Sequence, residues 1–216
     1  MIKITKSQLI RAAYATLGVL ILGFGATILR EGHVGMDPYT SANIAISGML
    51  GLSLGVYQLG LNLVFLLLIF LFGRKYIGFG TVVNMVFTGF FIDMFTALFE
   101  KVGIQAETLP MKLLFLVVGT VIFTFAVSLY TGANLGAAPY DACAPTIVDH
   151  TGWPYRVVRI IQDVSFTLLG FFLGGPVGVG TFINAFLTGP LITFWNDNVA
   201  GPLIAKSLAA VEKSNG

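Results

Sequence analysis

Residues 35–39 read Gly-Met-Asp-Pro-Tyr and residues 136–140 read Gly-Ala-Ala-Pro-Tyr, an offset of 101 positions. The correspondence extends both ways. At the same offset Gly18 meets Gly119, Gly51 meets Gly152, Asn62 meets Asp163 and Gly73 meets Gly174. One residue is then lost. Gly78-Phe79-Gly80-Thr81 meets Gly178-Val179-Gly180-Thr181 at an offset of 100, and Asn84, Thr88 and Gly89 continue onto Asn184, Thr188 and Gly189. Apolar bias does not scatter glycine, proline and asparagine at matched positions, so the chain reads as an internal duplication.

Composition says what is duplicated. Of 216 residues, 56% are hydrophobic and 10% charged, and the mean hydropathy is +0.88. Soluble domains carry about 25% charged residues, so a soluble enzyme is excluded. A net charge of +2 without a basic run excludes a nucleic-acid partner. The apolar runs are continuous, unlike the alternating segments of a membrane β-barrel. The single Cys143 allows no disulfide framework or thiolate cluster, and His33 and His150 stand far apart, so no metal site or cofactor is expected. The start, with Lys3, Lys6 and Arg11 before an apolar run, imitates a signal peptide, but the run has a counterpart in the second half and belongs to the fold.

Long apolar segments cover about 11–29, 54–73, 77–99, 111–131, 154–173 and 178–195, with two short helical stretches at 38–50 and 139–149. A crossing needs about 20 apolar residues, so the short stretches do not span. The expected fold is an all-α membrane protein of six transmembrane helices in two inverted three-helix repeats. Each repeat carries a re-entrant half-helix after its first span. The first repeat takes 1–101, an external loop 102–110, the second repeat 111–205 and a frayed cytoplasmic tail 206–216. Basic residues set the orientation. With both termini inside, Lys3, Lys6, Arg11, Arg74, Lys75, Arg156, Arg159, Lys206 and Lys213 lie inside, and only Arg30, Lys101 and Lys112 lie outside. Letting the short helices cross would weaken that bias.

Polar residues inside such a fold are the candidate site. Pro38 and Pro139 are the expected half-helix starts, with Asp37 as an N-cap and Asp141 in a first turn. Their N-termini would face each other near the bilayer centre, flanked by Tyr39 and Tyr140. Arg156, Arg159, Asp163 and Thr167 share one face of the fifth span, and Gln58 and Asn62 stand at the positions equivalent to Arg159 and Asp163. An ionisable group at that depth costs about 3 kcal/mol or more unless paired or watered. Candidate binding residues are therefore Asp37, Tyr39, Gln58, Asn62, Tyr140, Asp141, Arg159 and Asp163. Asn84, Thr88, Asn184, Thr188 and Arg156 are candidates for the cavity wall. Asp93 is expected to reach the outer interface, Trp153 and Trp195 to act as interfacial anchors, and Cys143 to be an inert thiol. Gly78-Phe79-Gly80 and its counterpart fit close backbone approach; no strand precedes them, so they are not a nucleotide-binding motif.

The paired Gly-x-x-Pro-Tyr elements, each followed about 40 residues later by Gly-x-Gly-Thr-x-x-Asn, resemble the YczE/YyaS/YitT family of bacterial integral membrane proteins. That resemblance implies a multi-pass protein of the bacterial inner membrane and carries no substrate. Ala138 stands where the first copy has Asp37, so the halves are not chemically equivalent.

Midplane binding between inverted repeats with broken helices is a recurrent transporter design. The expected function is transport of a small anionic or zwitterionic solute, with Arg159 and the half-helix N-termini holding the anionic group and Asp163 coupling a proton or cation. The alternatives are a channel-like facilitator with paired half-helices and a non-transporting accessory protein of a membrane assembly. An enzyme is not expected, because no nucleophile–base pair or metal-ligand cluster is visible. The expected partners are the solute and the bilayer, with a homodimer kept open.

Overall fold

The computed structural model describes residues 5–215, with side chains to residue 211. Lys3 and the Lys213 side chain, both used in the charge count, lie outside the described residues. The chain is all-α: α1 (Lys6–Glu31), α2 (Pro38–Met49), α3 (Leu54–Phe72), a 3-10 turn (Arg74–Tyr76), α4 (Phe79–Val102), α5 (Leu109–Gly132), α6 (Pro139–Thr151), α7 (Tyr155–Phe172), α8 (Val179–Trp195), a π-turn (Asn196–Ala200) and α9 (Gly201–Asn215). Helices α1, α3, α4 and α5 are long and apolar enough to cross a membrane. Helix α7 has 18 residues that include Arg156, Arg159 and Asp163, and α8 has 17.

The outward faces are apolar and exposed, with Leu63, Leu67 and Phe70 on α3, Ile160 and Val164 on α7, and Phe182 and Phe186 on α8. Such a surface is untenable in water and natural in lipid. Inside lie polar groups: Thr27, Ser41, Gln58, Asn62, Thr120, Thr124 and Asn184 are all buried. The driving force for packing here is close contact, and small residues supply it. Helix α1 runs antiparallel to α5, since Gly18 meets Tyr130 and Ala126, Gly25 meets Phe123, and Gly32 meets Phe115. It runs parallel to α4, through Gly23 on Phe91 and Phe24 on Phe95 and Phe99.

The segments before the short helices match each other in detail. His33 and Asn134 hold φ of 50° and 53°, and Gly35 and Gly136 hold 98° and 99°. A Cβ at Gly35 would stand 2.6 Å from the Gly178 nitrogen, and one at Gly136 2.5 Å from the Gly78 nitrogen, so only glycine fits at either place. Gly80 N–H donates to the Leu135 carbonyl (2.7 Å), and Gly180 N–H to the Val34 carbonyl (2.6 Å). Met36 N–H donates to Pro176 and Ala137 N–H to Tyr76, at 3.1 and 3.0 Å. Thr81 and Thr181 accept from Gly78 and Gly178 N–H, so these two hydroxyls cap α4 and α8. Lys75 Nζ sits 2.8 Å from Asp149, and the Tyr76 hydroxyl donates to the same oxygen. Both contacts hold that exposed carboxyl below its ordinary pKa.

Two expectations are corrected. The tail is not frayed: α9 continues to Asn215 and packs on α1, with Tyr14 Oη 2.8 Å from Ser207 Oγ and Ile204 buried. Asp93 does not reach outward. Its carboxylate accepts the Gly55 and Leu54 N–H groups at 2.7 and 3.3 Å and so caps α3. Free N–H groups at a helix start are a stronger attraction than the interface.

Candidate functional site

Helices α2 and α6 begin as the sequence reading expects. Asp37 Oδ1 accepts the Thr40 N–H at 2.9 Å as the N-cap of α2, while Ala138 leaves α6 without a side-chain cap. Each proline occupies a first-turn position where its missing N–H costs nothing. One residue on, Tyr39 and Tyr140 stack, with ring centroids 4.4 Å apart and planes inclined by 25°. The stack ties the two helix starts together. Tyr39 donates to Asn62 Oδ1 at 2.7 Å, and Tyr140 donates to Asp163 Oδ1 at 2.8 Å. Phe65 and Phe166 back the tyrosines; Phe166 lies 5.1 Å from Tyr140 and 5.6 Å from Tyr39. These phenylalanines stand at matched repeat positions, a signal that the sequence reading passed over because aromatic residues do not stand out in apolar helices.

A cavity of about 470 Å³ lies beside the tyrosine stack. Its lining includes the eight candidate binding residues, Asp37, Tyr39, Gln58, Asn62, Tyr140, Asp141, Arg159 and Asp163. Asn84, Thr88, Asn184 and Thr188 line it too, as do Pro38, Tyr130 and Tyr155. Tyr130 and Tyr155 were missed, because their repeat counterparts are Leu29 and Leu54 and no pattern marks them. Arg156 is a correction. It is exposed and absent from the lining although the preceding Tyr155 lines it, because one residue along a helix turns the side chain by about 100°. Thr167 donates to the Asp163 carbonyl at 2.8 Å and is also absent from the lining.

Arg159 is already committed. Its Nε bonds Asp163 Oδ2 at 3.0 Å, its Nη1 bonds Asp141 Oδ1 at 2.9 Å, and its guanidinium carbon lies 5.1 Å from the Tyr140 ring centre. Two of its five N–H donors are spent on these carboxylates, so its positive charge is shared before any solute arrives. Other polar atoms in the wall are free. Gln58 Oε1, Thr88 Oγ1 and Asn184 Nδ2 are buried and lack a hydrogen-bond partner. Buried polar atoms of a native fold are nearly always satisfied, so unpaired atoms on residues that line a cavity mark where water or a ligand can complete the bonding. Of these, Gln58 Oε1 lies toward the α3–α4 seam, 2.7 Å from where a Cβ on Gly89 would stand.

The two halves line the cavity differently. Helix α3 packs along α4: a Cβ on Gly89 would stand 2.7 Å from the Gly55 Cα, and Leu54 is 3% exposed. No comparable packing joins α7 to α8 among the described residues. A Cβ on Gly189, the counterpart of Gly89, would meet nothing within 4 Å, and Tyr155, the counterpart of Leu54, is 52% exposed. Ala185 and Gly189 line the cavity and are exposed, so it opens between α7 and α8. Trp195 Nε1 donates to Thr124 Oγ1, Trp153 is exposed, and Cys143 Sγ donates to the Pro139 carbonyl.

Relatives match most of the length of this chain. The chain is 28% identical over 214 residues to the uncharacterized membrane protein YczE of Bacillus subtilis (strain 168), covering 97% of this chain and 98% of that one. An uncharacterized protein of Haemophilus influenzae is 27% identical, covering 88% of this chain and 87% of its own length. YyaS of Bacillus subtilis, also uncharacterized, is 23% identical, with 83% and 89% covered. No solved structure matches significantly. The family of unknown function DUF6198 matches residues 9–197, so this multi-helix membrane protein belongs to that family.

Proposed function

We propose that the protein is a secondary transporter of a small polar solute, with its site between two inverted three-helix repeats. In this reading α1, α3, α4, α5, α7 and α8 cross the membrane, and α2 and α6 are re-entrant half-helices. The antiparallel run of α1 and α5, the first helices of the two halves, supports inversion; a parallel repeat would align them. The matched backbone bonds of Gly80 and Gly180 support the duplication. The basic residues favour both termini in the cytoplasm of a bacterial cell, with the inner membrane as the location. Nothing in the proposal calls on catalysis, a cofactor or a nucleic acid.

One observation carries transport over passive conduction: Gly89 is packed shut against Gly55, while its counterpart Gly189 faces open space. Two equivalent helix pairs, one closed and one open, are the two sides of an alternating-access cycle caught in one state. A channel would have no reason to hold them unlike. The tyrosine stack, backed by Phe65 and Phe166, adds a barrier beside the cavity.

The test is flux through purified protein in liposomes. Saturable uptake with counterflow is expected. Linear flux without counterflow would replace the transporter with a facilitator. Absence of flux for every solute that binds, with normal growth after the lining residues are made apolar, would leave an accessory role.

A further inference from the structure

Charge around the cavity is unbalanced. Asp37, Asp141 and Asp163 line it, and Arg159 is the one basic residue among the lining residues. Arg159 is shared by Asp141 and Asp163. Asp37 is bound through Oδ1 to the backbone of its own helix and pairs with no cation among the described residues. Carboxyl groups thus outnumber basic groups by two, and an ionised carboxyl in such a site is costly without a cation beside it.

The uncommitted polar atoms add to this. Gln58 and Asn184 are each 2% exposed and Thr88 is 7% exposed, and all three line the cavity with an unpartnered atom. Two of those atoms, Gln58 Oε1 and Thr88 Oγ1, accept hydrogen bonds. Tyr39 and Tyr140 spend their hydroxyl protons on Asn62 and Asp163, so their oxygens present lone pairs. Asn184 Nδ2 is a donor on the opposite account and suits a hydroxyl or carbonyl elsewhere on a ligand.

The space is too large for a bare metal ion, and the described residues contain no cluster of three His, Cys, Asp or Glu side chains able to hold one. A cavity of about 470 Å³ is the size of a small-molecule pocket. Its wall includes four tyrosines, Tyr39, Tyr130, Tyr140 and Tyr155, and aromatic faces attract organic cations.

We infer that the cavity binds a small organic cation, an ammonium or guanidinium compound, against Asp37 and the acceptor atoms of Gln58 and Thr88. The inference rests on the cavity being a transport site, and it reverses the charge expected from the sequence. Arg159 then serves to hold Asp141 and Asp163 in place, not to receive the solute.

Thermal shift and calorimetry on detergent-purified protein at pH 8 test it, using choline, ethanolammonium and methylguanidinium as cationic probes, acetate and phosphate as anions, and urea as a neutral control. Saturable stabilisation by at least one cation, with none by the anions or urea, is expected. Asp37→Asn keeps a good N-cap, so the fold should survive while cation affinity falls tenfold or more. Gln58→Glu adds a carboxylate and should tighten binding severalfold. Stabilisation by an anion alone, no binding of any cation, or an Asp37→Asn variant that folds and binds within twofold of the parent would overturn the inference. Counterflow of whichever of these cations binds, in labelled form, separates the two readings. Cation binding without flux removes the transporter and keeps the site, whereas saturable counterflow of acetate or phosphate keeps the transporter and removes the cation.

Discussion

Asp163 has more support than a lone carboxylate inside a bundle. It accepts from the Tyr140 hydroxyl and from Arg159, and Arg159 has Asp141 as a second carboxylate. An asparagine in its place would still accept from Tyr140 and would leave Arg159 paired with Asp141. Asp163→Asn should therefore cost about 1–2 kcal/mol, well short of the 3–5 kcal/mol of a stranded buried charge. Solute binding or flux should fall at least tenfold. Melting temperature and flux, read side by side in Asp163→Asn and in Asp163→Asn/Arg159→Gln, decide the matter. Large instability in the single variant, relieved in the double with flux intact, would make the pair structural. A milder change tests the tyrosine: Tyr39→Phe keeps the ring stack but leaves Asn62 Oδ1 without its donor, a loss of about 1 kcal/mol by thermal denaturation. The Arg159–Asp163 pair was legible in the sequence because four residues on a helix fix adjacency. The Arg159–Asp141 contact was not, since it depends on how the turn after α6 folds that helix back on α7.

At the scale of helices, Gly89 and Gly189 should respond oppositely to an added methyl group. A methyl at Gly89 would enter the backbone of Gly55, so Gly89→Ala should lower stability by about 1–3 kcal/mol. Gly189→Ala meets open space and should be neutral or stabilising by up to about 1 kcal/mol, the helix-propensity difference. Thermal unfolding of the two variants in one detergent makes the comparison. Equal losses would mean that α7 and α8 are packed as tightly as α3 and α4. Helix boundaries were largely readable: Asp37-Pro38 announces α2, and α3, α7 and α8 begin or end within a residue or two of the apolar runs. The separation of α7 from α8 was not readable, because the repeat predicts like packing in both halves. The departure sits at substitutions that the alignment already contains. Gly55 becomes Arg156, and Asp93, the cap of α3, becomes Thr193. A bulky charge replaces the contact glycine, and Thr193 donates to the Gly189 carbonyl of its own helix and caps nothing among the described residues, so the second pair starts with less to hold it closed.

If the protein alternates as proposed, each half shows the state that the other would take. If α7 and α8 close as α3 and α4 do now, position 156 should approach position 189 as Gly55 approaches Gly89. Cysteines at both positions would fall within disulfide range, which requires Cα atoms within about 7 Å. Orientation is settled first. In a Cys143→Ser background, a cysteine at Gly103 should react with an impermeant reagent from outside the cell and one at Lys206 should not. In the same background, Arg156→Cys/Gly189→Cys should cross-link slowly in the resting protein and faster when a solute gradient drives turnover. The cross-linked protein should lose flux and regain it on reduction. Closing one pair while opening the other would also break the Asp93 cap on Gly55, so Asp93→Asn should speed cross-linking by weakening the closed side. Cysteines that never cross-link in a variant with normal flux would mean that the opening between α7 and α8 is permanent. The asymmetry would then belong to a one-sided vestibule, and the exchange of the two halves would be lost with it.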